Sequence, residues 1–261
     1  MKTIIILQAR LSSKRLPGKV LKKIQGTPLI EILLKRISKC KNVNKIIVAI
    51  PRGKADKKLY DFLKKKKYSI FRGNEKNVLE RFYFTAKKTK ANIIVRLTAD
   101  NPLTDPLMTD NFINIFKKEN ADYLTNSSPS SFPNGLDVEI FTFSCLKKCY
   151  QKAISKFDKE HVTTYIRSSK KFKILSVIND KNLSNLRVTV DEDVDLQVIK
   201  KIIKNFKNIH FSWKKLEKLY KEKPSIFSIN SHLTKYYGYL DKIKPFKLLK
   251  YKVINTQNNK N

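Results

Sequence analysis

At 261 residues and 41% apolar content, the chain is long enough for one large α/β domain with a sizeable core. Its formal net charge of +34 comes mainly from lysines spread over nearly every segment, with arginine, the usual residue for planar readout of bases and phosphates, sparse beside them. That reads as a compositional bias and argues against a dedicated nucleic-acid surface. No apolar run nears the roughly 20 residues of a membrane span, Thr3 to Leu7 is too short for a signal segment, and three cysteines without paired spacings exclude a disulfide framework, so the expected compartment is the cytoplasm.

In chain order, Thr3 to Leu7 is a continuous apolar run, the pattern of a strand buried on both faces of a parallel sheet. Leu29 to Ile37 has apolar residues at helical spacing, with Pro28 at its start. Lys45 to Ile50 is a second buried strand, Lys54 to Lys66 a helix, Tyr68 to Phe71 a short strand and Lys76 to Lys88 a helix. Asn92 to Leu97 is a third strong strand. Strands separated by helices of this length indicate βαβ units, and so a Rossmann-like, mostly parallel sheet with flanking helices. Beyond residue 125 the pattern loosens. Ser127 to Gly135 is a loop by composition, Leu136 to Phe143 a strand, Cys145 to Ile154 and Lys159 to Ser168 helices, and Phe172 to Val177 and Leu186 to Val190 strands. A helix follows over Asp193 to Asn205. The expected organisation is one α/β domain over residues 1–210, with an insertion or dimer-forming lobe at about 130–185. A C-terminal helix and a Lys/Asn-rich tail, poorly ordered at its end, would fill 211–261.

In open α/β sheets, ligands bind outside the carboxyl ends of the strands. The first such position carries Gln8-Ala-Arg-Leu-Ser-Ser-Lys-Arg-Leu-Pro-Gly-Lys19. Its backbone amides, hydroxyls and the cations Arg10, Arg15 and Lys19 could cradle a triphosphate, although a solvated basic turn has the same composition. Neither a G-x-x-x-x-G-K-[ST] loop nor a G-x-G-x-x-G turn follows the strand, against a P-loop NTPase or a dinucleotide site. Asp100 follows the third strong strand, and Arg187 to Asp191 places a second aspartate at another strand end. Acids number only 22 in this chain. Two carboxylates converging opposite a basic loop would suit Mg²⁺ on phosphate oxygens. Asp100 as an Asx turn before Pro102, and Asp191 as a helix N-cap, are the alternatives.

Taken together, Gln8-Ala-Arg10, Arg15-Leu-Pro-Gly-Lys19, Phe71-Arg-Gly73, Asn77-Val-Leu79, Arg81, Arg96-Leu-Thr-Ala-Asp-Asn-Pro-Leu103, Asn134-Gly-Leu-Asp-Val-Glu139, Glu160-His-Val-Thr163 and Leu186-Arg-Val-Thr-Val-Asp191 resemble the sugar cytidylyltransferases. The likeness is to the SpsF-like spore-coat polysaccharide branch, related to the acylneuraminate and 3-deoxy-octulosonate CMP-sugar synthetases, and spans residues 3 to 200. It implies a nucleotide-diphospho-sugar transferase fold and a nucleotidyltransferase that joins CTP to a sugar, with Mg²⁺ as cofactor and a homodimer as assembly. By that resemblance Asp100 and Asp191 hold the metal and, with Lys19 and Arg10, carry catalysis. Gln8, Ala9, Arg10, Arg15, Gly18, Lys19, Arg72, Gly73 and Arg81 fall on the nucleotide side, and Asp137, Glu139 and His161 on the acceptor side. For His161 a helix-anchoring hydrogen bond is the alternative. Asn77 stands where the family often has an acid, and Ala99-Asp100-Asn101 replaces a more usual Gly-Asp-Cys. A glycosyltransferase that consumes a nucleotide sugar shares the sheet and the metal aspartates, but the basic first loop favours a triphosphate. A non-catalytic polyanion-binding protein would leave the paired aspartates unexplained.

Overall fold

A computed structural model describes residues 1–169 and 171–233 and the backbone of 249–252. The elements are β1 (Thr3–Gln8), β2 (Lys23–Ile24), β3 (Thr27–Pro28), α1 (Leu29–Ile37), β4 (Lys45–Pro51), α2 (Lys57–Lys65), β5 (Ile70–Gly73) and α3 (Val78–Thr89). Then come β6 (Ile93–Thr98), α4 (Pro106–Lys118), β7 (Tyr123–Thr125), β8 (Glu139–Thr142), α5 (Phe143–Lys152), α6 (Lys156–His161), α7 (Thr164–Ser168) and β9 (Ile174–Ile178). The last are α8 (Asp193–Phe206), α9 (Trp213–Glu222), α10 (Ser225–Ser228) and β10 (Leu249–Lys252). The main sheet runs β10-β9-β7-β8-β6-β1-β4-β5, and β2 and β3 form a separate hairpin. All its strands share one direction except β8, which runs antiparallel to both β6 and β7.

The apolar run of β1 is buried on both faces because alternate residues point to opposite layers. Ile5 and Leu7 pack into the core with α1, α2, α4, α8 and α9, whereas Ile4 and Ile6 face α3, α5 and the α6–α7 turn. The result is a three-layer α/β/α domain, with β1 central between β4 and β6. No helix among the described residues is long and apolar enough to cross a membrane.

The observed elements depart from the sequence expectations in several places. Helix α4 follows Asp105, whose side chain accepts from Met108 N at 2.9 Å, and opens with Pro106 at its first position; that start signal stands in the sequence. The helix expected over 159–168 is two short helices, because Val162 has φ 68° and ψ −53° and Thr163 N donates to His161 O at 2.7 Å. That is a tight γ-turn, strained for a β-branched residue. Leu186 to Val190 is no sheet strand but an extended segment, bridged to the rest of the domain at Asn134↔Arg187. Gly135, at φ 106°, lets that segment pass: a Cβ there would overlap the backbone of Val188 and Thr189. Finally, residues 130–185 contribute β8 and β9 to the main sheet and α5 to α7 to one face. Apart from β10, the Lys/Asn-rich tail lies outside the described residues.

Candidate active site

The loop after β1 turns back on itself at Gly18, whose φ of 68° suits glycine and whose N–H donates to Leu11 O at 3.0 Å. This fold of the loop drops Lys19 into the protein, 8% exposed. Its ammonium donates to Asp100 Oδ2 at 3.0 Å, Asp191 Oδ1 at 2.9 Å and Val190 O at 2.8 Å. Arg15 reaches the same Asp191 oxygen at 3.0 Å from the solvent side. The backbone fixes the two aspartates relative to each other, because Val190 N donates to Asp100 O at 2.8 Å. Thus β6 and a segment 90 residues downstream deliver two carboxylates to one point, under the basic loop.

Behind Asp191 lies an anchor that the sequence reading passed over. Asp195 is fully buried and accepts from Arg187 Nε at 2.8 Å and Nη2 at 2.9 Å. It also accepts from Asp191 N, Glu192 N and Asn230 Nδ2. Arg187 Nη2 further donates to Asp191 Oδ2 at 3.1 Å. The cap of α8 is Glu192, in a capping box with Asp195, so Asp191 is not the N-cap and its side chain faces the site. The spacing of Glu192 and Asp195 is the signal in the sequence that could have shown this.

Electrostatics keep Lys19 and Asp100 ionised. Burial alone would lower the Lys19 ammonium pKa, but the charges of Asp100 and Asp191 and their hydrogen bonds outweigh it, leaving it above 10.5. Burial likewise pushes Asp100 up, and Lys19 with the Thr98 hydrogen bond brings its carboxyl below the usual range. Asp195 is held low against its burial mainly by the Arg187 hydrogen bond.

Two hard carboxylate oxygens thus converge on one cation, which is an ammonium here. That donor chemistry fits Mg²⁺, which takes one or two protein carboxylates and fills its other positions with water and phosphate oxygens. No cluster of three or more metal-binding side chains occurs among the described residues. Asp100 and Asp191 are therefore the residues that would hold the ion, in competition with Lys19.

The other expected residues fall into separate groups. Gln8 accepts from Arg96 Nη2 at 3.4 Å, and Ala9 is buried with its N–H on Ala49 O. Arg10 is exposed. Arg72 is half-buried, stacked 4.8 Å over Tyr60 and donating to Arg52 O at 2.6 Å. Gly73 ends β5, three strands across the sheet from β6, and Arg81 packs against it from α3. Asn77 caps α3, accepting from Glu80 N at 2.9 Å, a task that an amide performs as well as an acid.

On the acceptor side, Asp137 is half-buried. His161 ends α6 with its ring 4.4 Å from Phe157, and burial holds its pKa below the usual range. Glu139 is enclosed by a network of Arg96, Arg167 (3.0 Å), Thr163 Oγ1 (2.6 Å) and the Tyr123 hydroxyl. Burial would raise its pKa, but the two arginines carry it down from 4.5 to about 2. A carboxylate depressed on folding contributes stability above its unfolded pKa and loses it as pH falls toward the folded one. The wild-type melting temperature is therefore expected to drop between about pH 4.5 and about pH 2. Glu139→Gln should flatten that limb in pH-dependent thermal unfolding, and an unchanged limb would assign it to other groups.

The profile of the cytidylyltransferase family matches residues 4–191. An uncharacterised protein of Methanocaldococcus jannaschii is 36% identical over 89% of this chain and 96% of its own length. The spore coat polysaccharide biosynthesis protein SpsF of Bacillus subtilis is 30% identical over 76% of this chain and 84% of its own. Among solved structures, a cytidylyltransferase from Leptospira borgpetersenii superposes with a TM-score of 0.84 at 32% identity, covering 90% of this chain and 99% of that one.

Proposed function

Because this chain belongs to the cytidylyltransferase family, we propose that it couples CTP to a sugar, releasing pyrophosphate and forming a CMP-sugar, with Mg²⁺ held by Asp100 and Asp191. The observation that carries this reading is the convergence of both carboxylates on Lys19 Nζ beneath a loop bearing Arg10 and Arg15. A sugar hydroxyl attacks the α-phosphorus of CTP, its oxygen forming the new P–O bond as the bond to the β-phosphate bridging oxygen breaks and the hydroxyl proton leaves to solvent. The work of the protein is alignment and charge stabilisation. Arg10, Arg15 and Lys19 offset the charge gathering on the departing pyrophosphate. A divalent ion held by Asp100 and Asp191 would supply Lewis-acid stabilisation of phosphate oxygens. Asp137 and His161, half-buried, are candidates to face the acceptor, whereas Glu139, its oxygens taken up by four partners, orders that wall. The name of the SpsF relative supports a sugar destined for a surface polysaccharide, and an acid sugar fits the resemblance to acylneuraminate and octulosonate synthetases.

The test is nucleotide-induced thermal stabilisation with CTP, UTP, GTP and ATP, each with and without Mg²⁺. A ligand at a hundred times its Kd adds about 2.7 kcal/mol if it binds only the folded state. Selective stabilisation by CTP with Mg²⁺ is expected. If no nucleotide stabilises the protein while RNA or another polyanion does, the lysines and not this site carry the function.

A further inference from the structure

Two buried charges stand behind the nucleotide side of the site without full partnership. Asp56, 1% exposed, ends the short turn Lys54–Asp56 that follows β4. Its Oδ1 accepts the Leu11 N–H at 2.6 Å, fixing the residue next to Arg10. Its Oδ2 is buried with no hydrogen-bond partner among the described residues. Arg81, also 1% exposed, hangs from α3 and donates through Nη1 to the carbonyls of Asn74 and, at 3.5 Å, Glu75. Its Nε and Nη2 are likewise buried and unpartnered. Ser12 Oγ meets Glu75 Oε1 at 3.4 Å, so the loop after β1, the turn after β4 and the turn after β5 form one ring of contacts. Gly73 is part of it, since a Cβ there would lie 2.9 Å from Arg81 Cγ.

Burying a carboxylate costs stability unless it is paired and hydrogen-bonded, so the half-satisfied Asp56 is carried at a cost. Here burial raises the Asp56 pKa, the Leu11 amide and then Arg81 and Arg10 oppose it, and Glu75 adds to it. Arg81 is pulled down to about 10 by burial and by Arg10, with Asp56 and Glu75 opposing. Of these groups Arg10 is the exposed cation, attracted by one buried charge and repelled by the other.

We propose that Asp56 is a positioning residue for nucleotide binding: through the Leu11 amide it anchors the basic loop and holds Arg10 at the mouth of the site. The proposal rests on the nucleotidyltransferase reading above. Asp56 touches no substrate and acts through Leu11 and Arg10.

The test uses the full chain with Asp56→Ala and Asp56→Asn. In Asp56→Ala the Leu11 amide should exchange its hydrogen at least about fivefold faster, as expected for losing a hydrogen bond of roughly 1 kcal/mol or more. kcat/KM for CTP with Mg²⁺ should fall about tenfold, because Arg10 serves both the bound triphosphate and the charge on the departing pyrophosphate. Asp56→Asn keeps an acceptor for Leu11 without the charge, so exchange stays slow and kcat/KM falls less. In the wild type kcat/KM should also fall as acid protonates Asp56, a limb that Asp56→Asn lacks. An unchanged Leu11 exchange rate, or an unchanged kcat/KM beside faster exchange, overturns the proposal. If Asp56→Ala does not fold, slow exchange and the lost acid limb in Asp56→Asn decide it. A wild-type chain that ignores CTP overturns the function reading alone, and the exchange arm still decides whether Asp56 anchors the loop.

Discussion

Asp100→Asn is expected to leave the protein folded and lower kcat/KM for cytidylyl transfer by about 10³-fold, the scale of removing a group aimed at transition-state charge. The fold survives because Asp100 holds its surroundings through its backbone: its carbonyl accepts from Val190 N and Thr189 Oγ1, and neither bond involves the carboxylate. The side chain is 30% exposed, so the stability lost with its charge is small, about 1 kcal/mol or less. What disappears is one of the two negative charges on the shared cation position, and with it the site for a dication. Pyrophosphate release and the melting temperature, measured on the same preparation, check both halves. Turnover within tenfold of wild type would remove Asp100 from the reaction centre.

Lys19→Met should act on the opposite side of the balance, costing both stability and activity. Its ammonium satisfies Asp100, Asp191 and the Val190 carbonyl at once. A methionine fills similar space but leaves Asp100 without its cation and Asp191 with only Arg15 and Arg187. Breaking a buried pair typically costs 3–5 kcal/mol; with Asp100 and Asp191 partly exposed, about 2–4 kcal/mol is expected. For a domain of this size that is a fall of roughly 5–15 °C in melting temperature. Because the pKa of Lys19 is raised on folding, its contribution is complete below the unfolded pKa and is lost only as pH rises through the folded value. The deficit should therefore persist across neutral pH. Added Mg²⁺ should restore part of the lost stability in Lys19→Met and change the wild type little, since in the wild type the ammonium already occupies the position. A variant as stable as wild type without metal would contradict the assigned contacts.

The strands legible in the sequence were those buried on both faces. β1, β4 and β6 announce themselves through unbroken apolar runs, Ile4 to Leu7, Ile46 to Ile50 and Ile93 to Val95, and β5 is found with its bounds shifted toward Gly73. β7 is too short, at three residues, to show a period. The segment 186–190 misleads for a physical reason: Leu186, Val188 and Val190 alternate toward the core as a strand would. Alternation reports a buried face and says nothing of whether the backbone hydrogen bonds join a sheet. Within the site, the basic loop and Asp100 were legible because they follow strong strands, and Asp191 because it follows an alternating segment that reads as one. That Lys19 sits between those aspartates was not, because Gly18 must first turn the loop inward. Asp56, Arg187 and Asp195 escaped notice because a charged residue reads as surface until its partner's position in space is known.

The hydrogen bond from Val190 to Asp100 ties the earlier part of the chain to a segment made much later. During synthesis, a polypeptide that has emerged only as far as β6 holds the basic loop and Asp100 but has no Asp191, Asp195 or Asn230. Domains grow from the N-terminus at several residues per second, so such a fragment exists for seconds in every round of translation. Its half-built site lacks the second carboxylate, so on the proposed function the fragment is inert toward the nucleotide. Premature termination before α8 yields products of the same kind, so reactivity is withheld from this protein until nearly the whole described chain is in place.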